Sequence, residues 1–117
     1  MKFKIGEFNI VCLNLEASIL FYKDIMKFEL TEKAETYAHF KCENITITLL
    51  AFAKAKTEVI KYGEKTSFSL DIKVNNLENA KIYFKEKGVK FAKSLDKTEG
   101  YFTIYDPNNL IWEIVEV

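Results

Sequence analysis

The chain has 117 residues, 17 Lys+Arg against 17 Asp+Glu, a single histidine and no net formal charge. Every cation is lysine, so the basic stripe and planar arginine fork of a nucleic-acid surface are missing, and no nucleic-acid partner is expected. One domain-sized core fits this length, and the lone histidine, His39, limits metal and imidazole acid–base chemistry.

The first seven residues lack the apolar stretch and small-residue cleavage site of a secretory signal. The longest apolar run, from Ile47 to Ala53, falls far short of the ~20 residues that span a bilayer. The expectation is a soluble, cytoplasmic protein with no membrane partner. Phe8, Ile10 and Cys12 alternate with Glu7, Asn9 and Val11, the period of a strand. Asn14 offers a side-chain oxygen to cap a helix, and Leu15, Ile19, Tyr22 and Met26 form its apolar stripe. Three strand-like runs follow, at about 28–33, 36–42 and 45–52. Glu43-Asn44 reads as a two-residue hairpin turn. That turn pairs Phe40 with Ile47 and Ala38 with Leu49 on one face, and His39 with Thr48 and Lys41 with Thr46 on the other. One face is then apolar and one polar, whereas a one-residue slip would mix them. Cys12 and Cys42 lack metal-ligand spacing and lie in apolar runs, so buried free thiols are expected.

Residues 54–66 are mostly polar and read as a linker, with Val59, Ile60 and Tyr62 as an apolar cluster that closes over a site or meets a partner. Beyond it the pattern repeats. Asn14-Leu15-Glu16 recurs as Asn76-Leu77-Glu78, and Phe21-Tyr22-Lys23-Asp24 as Tyr83-Phe84-Lys85-Glu86, both at an offset of 62. Phe68, Leu70, Ile72 and Val74 alternate as a strand, Asn76 caps, and Leu77, Ala80 and Phe84 form a helical stripe that Gly88 ends. Strand-like runs follow at about 89–93, 101–106 and 110–117, with Asp106-Pro107-Asn108-Asn109 as a turn. The expected class is α+β, two tandem β-α-β-β-β modules at about 5–53 and 67–117.

Three stretches carry a family resemblance. Asn14-Leu15-Glu16-Ala17-Ser18, running on through Phe21-Tyr22 to Lys27-Phe28, is similar to the "D-L-x-x-S-x-x-F-Y-x-x-x-L-G-F" run of the glyoxalase / bleomycin-resistance / extradiol-dioxygenase (vicinal oxygen chelate) superfamily. Val74 to Ala80 with Gly88-Val89 resembles its "V-x-D-x-x-x-A … G-V", and Asp106 to Ile114 its terminal "D-P-x-G-x-x-I-E-L". The resemblance implies a half-open, cup-like mixed sheet with helices outside, a ligand cleft between the two modules, and a homodimer. It also implies four positions for a divalent ion, which by motif register are Glu7, Thr48, Ser69 and Glu113.

Two of those positions hold neutral hydroxyls and none is histidine, a poor donor set for a transition metal. No cofactor is therefore expected; if a metal binds at all, Glu7, His39 and Glu113 are the set to hold it. Glu113 and Glu7 are the candidate catalytic residues, and Tyr37, His39, Thr48, Ser69, Lys73, Tyr101 and Thr103 the candidate ligand contacts. Each of these polar residues has the plainer role of pairing with a neighbour. Three functional classes stay open. They are a metal-free protein that binds a small molecule, a metal-dependent lyase, isomerase or dioxygenase, and a metal-free enzyme in which a buried carboxylate shuttles a proton.

Overall fold

Each half of the chain builds its sheet by laying its first strand beside its last. The computed structural model describes residues 1–93 and 100–117, and these divide into two units, Met1–Lys56 and Thr57–Val117.

In the first unit, β1 (Phe8–Val11) leads into α1 (Leu15–Leu20), and β2 (Glu29–Lys33), β3 (Tyr37–Cys42) and β4 (Ile45–Leu50) follow. The strand order is β1-β4-β3-β2, with β1 parallel to β4 and the other pairs antiparallel. The hairpin register is the one the turn dictates. Phe40 faces Ile47, Ala38 faces Leu49, His39 faces Thr48 and Lys41 faces Thr46. Glu43 adopts φ 55°, the left-handed conformation that a tight two-residue hairpin requires. Ile10, Ala38, Phe40, Ile47 and Leu49 are all buried on the face that α1 covers. For the isoleucine, leucine and phenylalanine side chains among these, full burial is worth roughly 1.5–3 kcal/mol each.

The expected helical stripe changes pitch at Phe21. A π turn, Phe21–Ile25, continues α1, and the Met26 N–H donates to the Phe21 carbonyl at 2.9 Å. Phe21 and Tyr22, neighbours in sequence at this turn, are both buried. Tyr22 then stacks on Phe28, centroids 6.0 Å apart, and meets Phe40 at 6.3 Å.

The second unit repeats this plan with β5 (Leu70–Val74), α2 (Leu77–Glu86), β6 (Tyr101–Tyr105) and β7 (Ile111–Glu116), in sheet order β5-β7-β6. β5 runs parallel to β7, and β6 antiparallel to it. Phe84, 62 residues beyond Tyr22, meets Phe102 at 6.1 Å, so the same helix position anchors an aromatic pair in both units. Gly88, at φ 74°, ends α2 as its sequence position requires.

The strand expected at 89–93 is not formed. That run makes one isolated bridge, Phe91 to Ile104. Beyond that bridge the Lys93 carbonyl accepts from the Tyr62 N–H at 2.7 Å, which comes from the segment preceding β5. Cys12 and Cys42 are both free thiols, and burial, followed by the charge of Glu43, pushes Cys42 above the ordinary 9.0. Cys12 is fully buried and Cys42 only partly so. Among the described residues no helix is long and apolar enough to cross a membrane.

The two caps are equivalent. Asn14 Oδ1 accepts from the Ala17 N–H at 3.0 Å and Asn76 Oδ1 from the Asn79 N–H at 2.9 Å, both from extended backbone. Asn14→Ala and Asn76→Ala are each expected to lower the unfolding free energy by about 1 kcal/mol, with aspartate at either position retaining most of it. Urea denaturation reads this directly, and unchanged midpoints in both alanine variants would remove capping as a contributor.

Candidate functional site

The polar face of each sheet is a consequence of strand parity, and it carries most of the residues that the sequence singles out. In the first unit, Asn9, Thr48, His39 and Glu32 form one row across four strands through the β1–β4, β4–β3 and β3–β2 registers. Thr48 is buried in this row, with 3% of its surface exposed, yet its hydroxyl is satisfied. Its Oγ1 lies 2.8 Å from His39 Nδ1, while His39 Nε2 lies 3.3 Å from Glu32 Oε2. In the tautomer with its proton on Nε2, toward the carboxylate, Nδ1 accepts from the Thr48 hydroxyl. The Tyr37 ring packs on the imidazole at 5.1 Å between centroids.

Glu32 was not among the sequence-derived candidates, for a reason written into β2. Leu30 and Glu32 have the same parity, so a regular strand would send Glu32 to the apolar face. A bulge between them shifts the register, so that Leu30 pairs with Phe40 but Glu32 pairs with His39. The skipped residue, Thr31, donates its hydroxyl to the His39 carbonyl at 3.2 Å. Glu7 is exposed just ahead of β1 and lines an open groove of about 400 Å³ together with Gly6, Phe8, Asn44, Ile45 and Thr46.

In the second unit the corresponding row is Asp71, Glu113 and Thr103, joined by the β5–β7 and β7–β6 registers. Glu113 is half-buried and receives a hydrogen bond from the Tyr62 hydroxyl at 2.8 Å. The same hydroxyl lies 2.9 Å from Ser69 Oγ. Since the phenol proton points to the carboxylate, Ser69 is the donor in that second bond. The result is a directed chain, Ser69 to Tyr62 to Glu113. The Ser69 bond draws the Tyr62 phenol's pKa down. The bond to Glu113, burial, and the nearby Glu113 and Tyr101 charges outweigh it and hold the phenol above its ordinary 10.0. Thr103 is buried and donates to the Ala92 carbonyl at 3.2 Å. Tyr101 is half-buried, and Lys73 stands exposed on β5.

Tyr62 is the residue that sequence reasoning missed as a site group. It lies in the polar stretch before β5, and 51 residues separate it from Glu113, so no local pattern marks it. Its segment is tied to the second unit at several points. Thr57 N–H donates to the Asn108 carbonyl at 3.1 Å, Asn109 Nδ2 to the Thr57 carbonyl at 2.9 Å, and the Tyr105 hydroxyl to the Ile60 carbonyl at 2.6 Å. The turn that receives it is itself tied by its first side chain: buried Asp106 accepts from the N–H groups of Asn108 and Leu110 at 2.7 and 2.9 Å.

These donors do not suit a divalent ion. Thr48 and Ser69 are neutral hydroxyls, the first held by His39 and the second by Tyr62, and Glu113 is already hydrogen-bonded to the same phenol. Among the described residues no group of three or more His, Cys, Asp or Glu side chains is placed to hold a metal.

The profile of the Glyoxalase/Bleomycin resistance protein/Dioxygenase superfamily matches residues 4–114, and the chain belongs to that superfamily. Its α+β fold of two tandem modules is shared by solved structures of low sequence identity. One is the fosfomycin resistance protein FosX from Listeria monocytogenes, complexed with Mn(II) and sulfate. It has a TM-score of 0.77 at 15% identity, over 99% of this chain and 91% of that one. Another is a glyoxalase/bleomycin resistance protein/dioxygenase from Alicyclobacillus acidocaldarius, with a TM-score of 0.72 at 15% identity over 97% and 90% of the two chains. Lactoylglutathione lyase from Agrobacterium tumefaciens gives 0.66 at 19% identity over 97% and 92%. No curated protein sequence matches the chain.

Removing the phenol hydroxyl by Tyr62→Phe leaves a half-buried carboxylate without its donor and is expected to cost about 1–2 kcal/mol of unfolding free energy. Because the folded phenol's pKa is raised, its contribution is complete below the unfolded value of 10.0 and fades as pH climbs through the folded one. The gap between wild type and variant is thus flat from neutral pH to about 10 and narrows above it. Denaturant melts at several pH values read this, and a gap that widens above pH 10 would contradict the proton's direction.

Proposed function

We propose that this member of the superfamily binds a small organic molecule on the polar sheet faces that carry Glu113, Ser69, Thr48 and His39, and does so without a resident metal. One observation carries the reading: three of the four positions that the family resemblance assigns to a metal are engaged by an imidazole or a phenol instead. Glu113 and Glu7 are the candidate reactive carboxylates. Tyr37, Lys73, Tyr101 and Thr103 complete the proposed contacts beside them. In the second unit this face carries two carboxylates, Glu113 and Asp71, against one lysine, Lys73, and the chain has no arginine with which to clamp a phosphonate or carboxylate. The ligand class that fits is therefore cationic or rich in N–H and O–H donors.

The test is a thermal-shift titration of wild type and Glu113→Gln with bleomycin as the cationic, donor-rich probe and fosfomycin as the anionic one. A saturable rise with bleomycin that weakens at least about tenfold in the variant is expected, the usual effect of losing one charge-assisted hydrogen bond. A response to fosfomycin alone, and only with Mn(II) added, would replace the proposal with a metal-dependent enzyme. An unchanged bleomycin response in Glu113→Gln would remove that residue from the site. A homodimer belongs to the same proposal, on the family resemblance, and light scattering at micromolar concentration checks it; a monomer across that range would remove it.

A further inference from the structure

The strap of residues 57–62 brings one polar side chain, Tyr62, onto the polar face of the second sheet, and its hydroxyl meets two side chains of that face at once. Ser69 Oγ and Glu113 Oε2 lie 2.9 and 2.8 Å from the same phenol oxygen. That phenol oxygen stands between two side chains that the family resemblance assigns to a metal, and it belongs to a neutral O–H group. The arrangement is built, not incidental. The Tyr62 N–H is held by the Lys93 carbonyl, the preceding Ile60 carbonyl by the Tyr105 hydroxyl, and the Lys61 N–H by Glu64 Oε2 at 3.1 Å. Gly63, at φ 92°, makes the turn that follows, where a side chain would be strained. The raised pKa of the phenol is consistent with a proton committed to the carboxylate.

We infer that Tyr62 is a positioning residue that excludes metal ions from this face: its phenol is a built-in neutral occupant that joins Ser69 to Glu113 and keeps the carboxylate as a hydrogen-bond acceptor for an organic ligand. The exclusion has two parts. The phenol stands between the two side chains, and it engages one oxygen of Glu113, the charged member of that pair. A serine in place of a stronger ligand weakens the face for metals on its own. The inference is that Tyr62 does so independently of residue 69.

The experiment separates these parts with four proteins: wild type, Tyr62→Phe, Ser69→His, and the double variant Tyr62→Phe/Ser69→His. Each is titrated with Ni(II) and Zn(II) in competition with a chromophoric chelator, after circular dichroism has shown that it is folded. The double variant is expected to bind at least about tenfold more tightly than Ser69→His alone, the scale of one charge-assisted hydrogen bond. Equal affinity of the two histidine variants, including no binding by either, overturns the inference. So does stoichiometric metal binding by wild type with Tyr62 in place, a result that needs no variant to fold. A purely structural role for Tyr62 would lower stability in both Phe variants without raising metal affinity in the double variant. The readout is metal affinity, so it stands or falls separately from the bleomycin response that tests the binding proposal.

Discussion

The parallel pairing of first strand with last strand in each unit is the constraint from which the other placements follow. Parallel neighbours cannot be joined by a tight turn, so a long connection must leave the sheet and return. In both units that connection opens with an asparagine-capped helix. The helix needs an apolar face to cover, and the strands supply it by parity: Ile10, Ile47 and Leu49 in one unit, Trp112 and Ile114 in the other. The opposite parity is then polar by default, and the same registers that pair Phe8 with Ile47 and Leu70 with Trp112 place Thr48 and Glu113 in equivalent central positions. A site on these faces is a product of the same alternation that makes the core.

That alternation explains what was legible in the amino-acid sequence. The period of two in β1, β3, β4 and β5, the stripe of α2 and the two asparagine caps are local patterns, and each became the element it indicated. The hairpin register was legible because one turn length and one apolar face admit a single pairing. What was not legible came from local exceptions to a period or from distant partners. The π turn at Phe21 is an exception to the ~3.6-residue period on which the stripe rests. The bulge in β2 reverses the face of Glu32, and nothing in Glu29-Leu30-Thr31-Glu32 announces it. The run at 89–93 has strand composition but makes only an isolated bridge, Phe91 to Ile104. Tyr62 itself has only the local context of an apolar cluster in a polar stretch, since the partner that gives it meaning lies 51 residues away.

The equivalent positions Thr48 and Glu113 show how one fold plan carries two chemistries. A buried hydroxyl needs a partner, and in the first unit the imidazole of His39 supplies it from the facing strand. A half-buried carboxylate needs a donor more urgently, because an unpaired charge costs more than an unpaired hydroxyl. The facing residue in the second unit, Thr103, gives its own hydroxyl to the Ala92 carbonyl and is not that donor. The donor is the Tyr62 phenol, brought in by the segment that precedes β5.

The choice of a phenol rather than a lysine at that point has an electrostatic consequence. A lysine ammonium would cancel the charge of Glu113, and a metal ion would reverse it. A phenol satisfies the carboxylate by hydrogen bonding and leaves its negative charge in place, in surroundings less polar than water where that charge acts more strongly on a nearby ligand. The face then retains one net negative charge at its centre, flanked by the exposed Asp71 in register beside it and the more distant Lys73 further along β5. Such a field favours cationic and donor-rich molecules and disfavours anions, independently of any particular contact. The all-lysine composition fits the same logic. Lysines can stay on the solvent side with their stems extended, so nothing in the chain brings a planar cationic fork to neutralise Glu113.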